Sequence, residues 1–237
     1  MARIFLAGAS GAIGRPLTSM LVAAGHEVTG TSRSTDGASR IRAAGGRPVI
    51  VDVFDGPALE EEVVASRAEV VIYQVTDLAL APGETLSDER LERNALVREA
   101  GTQHIVAATA AVGARRLIAP SVAWLYLPGP EPHTEDEAIV PPPPATTPRT
   151  RQAVLDLERF VTTDRRFEGV VLRYGRLYGP GTWTATPDEP PTVHVEAAAR
   201  AAALAVDRGE PGIYHVANDG GPVSTEKARR LLGWKPV

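Results

Sequence analysis

GASGAIG, residues 8–14, is the stretch of sequence that decides the fold. An apolar run at residues 3–7 precedes it, and a helical pattern of apolar side chains at Leu17, Met20 and Leu21 follows it. This order of strand, glycine-rich turn and helix is typical of the turn that receives the pyrophosphate of a dinucleotide. An ordinary glycine-rich turn between a strand and a helix is the less favoured interpretation.

Each glycine of this turn has a different expected task. Gly8 suits the tight turn, Gly11 leaves the backbone open to a pyrophosphate, and Gly14 lets the helix approach the strand closely. The free amide groups and the dipole at the start of the helix favour an anion. Ser10 and Ile13 complete the predicted cofactor-binding loop.

Strand-like and helix-like patterns alternate along the chain. The strand-like runs are residues 3–7, 27–32, 47–51, 69–75, 115–120 and 169–174, and the helix-like runs are residues 12–24, 36–44, 57–66, 89–112 and 149–163. Several strands are continuous apolar runs, as expected where helices cover both faces of a parallel sheet. The pattern predicts an α/β fold with a Rossmann-type, doubly wound parallel sheet, which binds ligands beyond the carboxyl ends of its strands.

Composition excludes several classes of protein. The chain has 237 residues and a net charge of −4, so it shows no basic surface for nucleic acid. It has no cysteine, which excludes disulfides, thiolate chemistry and cysteine zinc sites. No metal site is predicted, because nothing fixes a coordination geometry around His133 and its acidic neighbours. Since neither a signal peptide nor a membrane span is visible, we expect a cytoplasmic protein without membrane partners.

The residues after the second strand bear on the choice of cofactor. An acidic residue about 20 positions after the glycines would bind the ribose hydroxyls of NAD. Arg33 occupies that place, between two serines, and a guanidinium suits the 2′-phosphate of NADP. NADP(H) is therefore favoured over NAD(H), although Asp36 keeps NAD(H) open. Asp52, followed by Val53, is placed either to accept from the adenine amino group or to cap the next loop.

Further motifs follow in order along the chain. They are VDV at 51–53, Asn94, GTQHIVAA at 101–108, RRLIAPS at 115–121, LRYGRLYGPG at 172–181, VHVE at 193–196 and KARRLLGW at 227–234. Together with GASGAIG they resemble the extended short-chain dehydrogenase/reductase superfamily, and more narrowly its NAD-dependent epimerase/dehydratase-like branch. The resemblance implies a Rossmann domain at residues 1–175 and a small, interleaved C-terminal substrate-binding lobe at 176–237. It also implies a possible homodimer through the helices near 89–112 and 149–163.

The chain departs from this superfamily at the acid/base pair. The superfamily uses a Tyr-x-x-x-Lys pair, in which the lysine lowers the pKa of the tyrosine and holds the nicotinamide ribose. The only lysines here are Lys227 and Lys235, and no lysine stands four residues after any tyrosine. Arg149 and Arg151 begin the helix expected to carry the lysine; either suits a ribose or a phosphate, or lies in solvent.

Ser121 ends the fifth strand, where the resemblance places a catalytic hydroxyl that orients a substrate carbonyl. An alignment through Tyr126 puts that hydroxyl at Val122 instead, so two interpretations of Ser121 remain, substrate contact and strand-end cap. Tyr126, Tyr174 and Tyr178 are expected to wall the substrate pocket or to belong to the core.

Three functions fit these observations. The first is an NAD(P)-dependent epimerase, dehydratase or reductase with a degenerate acid/base site, acting on a small polar or carbonyl-bearing molecule. The second is a non-catalytic NADP(H)-binding sensor or interaction module. The third is a non-redox isomerase or cyclase on the same fold. The intact glycine loop favours the first, and the missing Tyr/Lys pair favours the others.

Overall fold

The structure is a computed structural model that describes residues 1–78, 86–139 and 148–236. Its strands are β1 (Arg3–Ala7), β2 (Glu27–Ser32), β3 (Arg47–Ile50), β4 (Val70–Tyr73), β5 (Arg116–Val122), β6 (Glu168–Tyr174), β7 (Arg176–Tyr178), β8 (Thr192–His194) and β9 (Gly212–Val216). Its helices are α1 (Gly14–Ala23), α2 (Thr35–Ala43), α3 (Gly56–Ser66), α4 (Asp88–Leu96), α5 (Thr102–Val112), α6 (Pro148–Thr163) and α7 (Val195–Leu204).

The main sheet has seven parallel strands in the order β3-β2-β1-β4-β5-β6-β9. The order reverses between β1 and β4, which is the switch point of a doubly wound sheet. The predicted Rossmann-type α/β fold is therefore confirmed. A separate pair, β7 and β8, lies after β6.

Apolar strands place a core on each face of the sheet. Ile4 and Leu6 of β1 pack on the face covered by α1 and α7, whereas Phe5 and Ala7 pack on the face covered by α3, α5 and α6. Because side chains alternate along a strand, a continuous apolar run supplies both cores.

The helical run predicted at residues 89–112 is divided. Helices α4 and α5 are joined by one wider, π-helical turn, Val97–Gly101. A π-helical turn inserts a residue into the helical repeat and is frequent at functional sites. The sequence pattern, which is helical throughout this region, gives no sign of the insertion.

The chain after residue 175 is tied to the main sheet. Strand β9 pairs with β6 along five residue positions. Near the C-terminus, Trp234 is fully buried and its indole N–H donates to the carbonyl oxygen of Ala197 in α7, 2.9 Å away. The division into residues 1–175 and 176–237 stays a prediction.

Candidate functional site

The glycine turn after β1 has the geometry that the sequence predicts for it. Gly8 has φ +85°, and a Cβ there would lie 2.6 Å from the carbonyl oxygen of Gln74. A Cβ on Gly14 would lie 2.1 Å from the carbonyl oxygen of Gly8. A Cβ on Gly11 would have the carbonyl oxygen of Gly8 as its nearest neighbour, at 3.2 Å, and Gly11 is exposed. Gly8 and Gly14 are thus required by packing, and Gly11 leaves the backbone open to a ligand.

The start of α1 is free to receive an anion. Ile13, at the N-cap position, offers no side-chain hydrogen bond, and the first turn carries no acidic residue. The amide groups and the positive end of the helix dipole therefore face the loop without a protein counter-charge. Beside them, the hydroxyl of Ser10 donates to the hydroxyl of Ser32, 3.2 Å away at the end of β2.

The residues after β2 present a cation and a second helix start. The side chain of Arg33 is 57% exposed, and its nearest charged partner is Asp77, 3.9 Å away. Ser34 caps α2 by accepting from the amide of Gly37 at 3.1 Å. Asp36, the residue because of which NAD(H) remained an alternative cofactor, forms an ion pair with Arg40 on the same helix, at 2.5 Å.

At the end of β3, Asp52 caps its own loop. One carboxylate oxygen accepts from the amide of Phe54 at 3.0 Å, so the loop-capping role is occupied while the second oxygen has no such bond. Val53 is buried, and its carbonyl oxygen contacts the ring Nδ1 of His104 at 2.8 Å.

Ser121 belongs to a buried polar network. Its hydroxyl donates to the carboxylate of Glu158 in α6 at 2.5 Å. That carboxylate also accepts two bonds from the guanidinium of Arg173 in β6, at 2.8 and 2.7 Å. All three side chains are more than nine-tenths buried. Burial is the largest single influence on the pKa of Arg173 and lowers it, but the hydrogen bonds and charge interactions with Glu158 and Tyr126 together outweigh burial and raise this pKa.

Tyr126 extends this network to a histidine. Arg173 donates to the Tyr126 hydroxyl, which lies 2.6 Å from Nε2 of His215. The Nδ1 of His215 faces the carbonyl oxygen of Ser224 at 2.9 Å, so Nδ1 carries the proton and Nε2 accepts from the tyrosine. Burial raises the pKa of Tyr126 to about 12 and lowers that of His215, so both are neutral at pH 7.

The two other predicted pocket tyrosines differ in their surroundings. Tyr174 is buried in the core beneath α1 and α7, and its hydroxyl accepts from Gln74 at 3.2 Å. Tyr178 is half-buried, and its hydroxyl accepts from Asn218 at 3.2 Å. The ring of Tyr178 meets that of His194 edge-on, with centroids 5.2 Å apart.

The start of α6 lacks an acid/base residue among the positions that the structure describes. Arg149 pairs with Glu99 at 3.0 Å and with Glu92 at 3.4 Å, on an exposed surface. Residues 140–147, within which the sequence places part of the acid/base segment, lie outside the described residues. Arg151 is half-buried.

Three residues of the polar network around Ser121 and Tyr126 were not predicted from the sequence as site residues. Glu158, Arg173 and His215 hold the network together, and Arg173 did give a signal. A charge inside an apolar strand that is covered on both faces needs a buried partner.

A cavity of about 410 Å³ opens at the opposite edge of the sheet, where Arg3, Glu69 and Arg115 stand at the amino ends of strands. Since open α/β sheets bind ligands at the carboxyl ends, this cavity is not the candidate site.

Comparison with known proteins identifies the family. The family model of the NAD dependent epimerase/dehydratase family matches residues 4–219. The chain belongs to this family. Family membership supports a nicotinamide cofactor, and the glycine turn, the uncapped start of α1 and the hydroxyls beside it fit a dinucleotide.

One relative of this family member is a 3-diazoavenalumate denitrifying reductase from Streptomyces sp. It is 37% identical over 238 residues, which cover 92% of this chain and 76% of the relative. Together with the family, this relative supports an NAD-dependent enzyme of the oxidoreductase type.

Two solved structures share the fold of this chain. The UDP-glucose 4-epimerase of Thermotoga maritima, solved with UDP-glucose, has a TM-score of 0.77 at 18% identity, covering 98% of this chain and 93% of that one. The Bordetella bronchiseptica enzyme WbmG, solved with NAD and UDP, has a TM-score of 0.74 at 18% identity, covering 100% and 89%.

The described residues contain neither a membrane-spanning helix nor a cluster of metal ligands. No described helix has both the length and the apolar character needed to cross a bilayer. Within the same residues, no three histidine, aspartate or glutamate side chains are grouped to hold a metal ion.

Proposed function

We propose that this protein is an NADPH-dependent reductase that delivers hydride to a small electrophilic molecule. The observation that carries the proposal is the arginine in place of an acidic residue at the end of β2, in a chain related over 92% of its length to a reductase. Arg33 is exposed beside the glycine turn and has only a distant ion-pair partner, so a 2′-phosphate would be its best ligand.

The binding roles follow from the geometry. Gly11 and the start of α1 would hold the pyrophosphate, and Arg33 with the hydroxyl of Ser34 would hold the 2′-phosphate. The uncommitted oxygen of Asp52 would accept from the adenine amino group. When bound, the cofactor supplies a hydride.

The missing lysine bears on the class of acceptor. Reduction of a carbonyl requires a proton donor, and the superfamily's Tyr/Lys pair is absent from this sequence. Reduction of an aryl diazonium cation adds one hydride to carbon and releases N₂, and it takes up no proton. A denitrifying reduction, the activity in the relative's name, would therefore suit a site without that pair. We propose this class of acceptor for the chain.

We further propose that four residues lie near the substrate and contribute to different extents: Ser121, Tyr126, Tyr174 and Tyr178. Tyr178 is half-buried and beyond the end of β6, so it is the best candidate for direct contact. Ser121, Tyr126 and Tyr174 are engaged in internal hydrogen bonds and would shape the pocket from behind.

The cofactor assignment is tested by fluorescence titration with NADPH and NADH. Wild-type protein is expected to prefer NADPH, and Arg33→Ala is expected to weaken NADPH binding by about 10- to 100-fold, because charge-assisted bonds are lost. Arg42→Ala, which removes an exposed arginine of α2, is the matched control. Failure of the wild type to bind either cofactor would overturn the proposal.

The reaction is tested with NADPH deuterated at C4 and two acceptors of similar size. With 4-carboxybenzenediazonium we expect benzoate carrying deuterium at the carbon that lost N₂, above a control without enzyme. With 4-carboxybenzaldehyde we expect much slower transfer. NADPH binding without deuterium transfer to either acceptor would favour a non-catalytic NADP(H)-binding module, which is the second candidate function.

A further inference from the structure

A row of buried polar side chains lies along the helix that contains the π-helical turn. Asn94, Arg98 and Thr102 follow one another at four-residue intervals, which places them near one face of the continuous helix. Their exposed fractions are 1%, 8% and 0%. We call these three residues the polar row.

Each member of the polar row has an unused hydrogen-bonding group. The Nδ2 of Asn94 and the hydroxyl of Thr102 are buried without a partner. The guanidinium of Arg98 has no hydrogen bond and no ion pair with any residue that the structure describes. The hydroxyl of Thr150 is also buried without a partner, in the first turn of α6, which packs against α4 and the π-helical turn. Unpartnered buried groups are few in native proteins, and each calls for a specific explanation.

The polar row lies at the edge of the sheet where the ligand is expected. The hydroxyl of Tyr73, the last residue of β4, donates to the carbonyl oxygen of Val97 at 2.9 Å. His104 is held against the carbonyl oxygen of Val53, beyond the end of β3, at 2.8 Å. The first contact brings the π-helical turn, and the second brings the first turn of α5, to the carboxyl ends of the strands, which is the same edge as the glycine turn.

Among the described residues, none compensates the charge of Arg98 with a hydrogen bond or an ion pair. Burial lowers its pKa to about 10, so the guanidinium remains a cation at pH 7. The ionisable side chain that acts on it is Tyr73, which is itself fully buried with its pKa raised, and is therefore neutral. An unpaired buried charge costs several kcal/mol, and such a charge is normally found with an anion.

We propose that Arg98, assisted by the amide Nδ2 of Asn94, binds the carboxylate of the substrate. The unused groups of the two side chains are all hydrogen-bond donors, so their ligand is an acceptor, and the planar fork of a guanidinium matches the two oxygens of a carboxylate. The phosphates of the cofactor already have a place at the start of α1 and beside Arg33. This inference rests on the proposed function, because it assigns the carboxylate to the acceptor of the hydride.

The first test measures carboxylate binding without cofactor, so that it does not depend on the reaction. We expect benzoate, but not its uncharged analogue benzamide, to raise the melting temperature of the wild type. Arg98→Met is expected to abolish the effect of benzoate and to raise the melting temperature of the free protein, because it removes an unpaired buried charge. Arg200→Met, which removes an exposed arginine of α7, is the matched control and should behave as the wild type does.

A second variant places an anionic side chain of the protein itself beside Arg98. Asn94→Asp places a carboxylate one turn before Arg98. It also keeps an oxygen that can accept the hydrogen bond that the backbone amide of Asp77 donates to Asn94 Oδ1, at 3.0 Å. We expect this variant to be more stable than the wild type and to show no response to benzoate. It keeps the inference testable if Arg98→Met fails to fold.

Kinetics then connect the site to the reaction. Arg98→Met is expected to raise KM for 4-carboxybenzenediazonium at least about tenfold, and to leave KM for benzenediazonium unchanged. If wild-type protein binds benzoate through Arg98 but transfers no hydride, the proposed function fails and the carboxylate site stands.

Two results would overturn the inference. Arg98→Met could weaken NADPH binding at least about tenfold while benzoate still stabilises the variant, which would assign Arg98 to a phosphate of the cofactor. Alternatively, benzoate could have no effect on wild-type protein while Arg98→Met lowers stability, which would make Arg98 a structural residue.

Discussion

Two buried arginines lie near the carboxyl edge of the same sheet, and they differ in what surrounds them. Arg173 lies in β6 with two hydrogen bonds to Glu158 and a third to Tyr126. Arg98 lies in the π-helical turn and has no hydrogen bond or ion pair among the described residues. Both side chains are more than nine-tenths buried.

The comparison separates a structural charge from one that awaits a ligand. Interactions with Glu158 and Tyr126 together raise the pKa of Arg173 despite burial, whereas burial dominates at Arg98 and lowers its pKa to about 10. A buried charge whose partner is in the chain stabilises the fold only as a pair. A buried charge without a partner lowers stability, and that cost is recovered when an anion binds.

The largest expected effect is the loss of the paired arginine. Arg173→Met leaves the carboxylate of Glu158 buried with only the hydroxyl of Ser121, so the free energy of unfolding should fall by about 3–5 kcal/mol. Urea unfolding followed by circular dichroism measures this. The double variant Arg173→Met/Glu158→Gln should recover part of the loss, because no charge is then left buried.

Arg98→Met sharpens the comparison because the expected sign is opposite. Removing this guanidinium should raise the free energy of unfolding by about 1–3 kcal/mol in the absence of ligand. The same urea titration measures both arginine variants under one set of conditions. A decrease like that of Arg173→Met would mean that Arg98 has a protein partner and that the two arginines do not differ in kind.

The sequence predicts the sheet well because the signals for it are local. The glycine turn, the apolar strands and the helices between them each occupy short runs of residues, and the order of the runs sets the topology. The sequence therefore already singles out the residues of the proposed nucleotide end of the site, which are Gly8, Gly11, Gly14 and Arg33.

The contacts of the proposed substrate end could not be predicted from the sequence in the same way. Ser121 contacts Glu158 across 37 residues of chain, and Tyr126 contacts His215 across 89. Such pairings are set by packing of distant elements, which no spacing in the sequence reveals. The burial of Arg98 could not be predicted for another reason. The π-helical turn inserts a residue into the helical repeat, so the sequence pattern does not show which face of the helix is buried.

A smaller loss of stability than that of Arg173→Met is expected at Ser121. Its hydroxyl donates to a buried carboxylate, so Ser121→Ala should lower the free energy of unfolding by about 1.5–3 kcal/mol. The hydroxyl proton is already engaged, so we expect kcat for diazonium reduction to change little at temperatures where the variant is folded. A decrease in kcat of two orders of magnitude without a matching loss of substrate affinity would instead support the catalytic role predicted from the family resemblance.

The smallest expected effect is a pH dependence that arises on the paired side of the comparison. Burial lowers the pKa of His215 below its usual value of 6.5, and the nearby charges are Glu135, whose carboxylate is 3.8 Å away, Arg173 and Glu158. The unfolded state then binds more protons than the folded state below pH 6.5, so stability should fall as the pH is lowered from about 6.5 to the folded pKa. Each unit of pKa difference corresponds to about 1.4 kcal/mol.

The variant His215→Gln tests this prediction, because glutamine can still accept a hydrogen bond from Tyr126 but does not titrate. It should flatten this part of the stability profile measured by urea unfolding between pH 5 and 8. A profile that is unchanged in the variant would assign the pH dependence to the carboxylates of the network and not to His215.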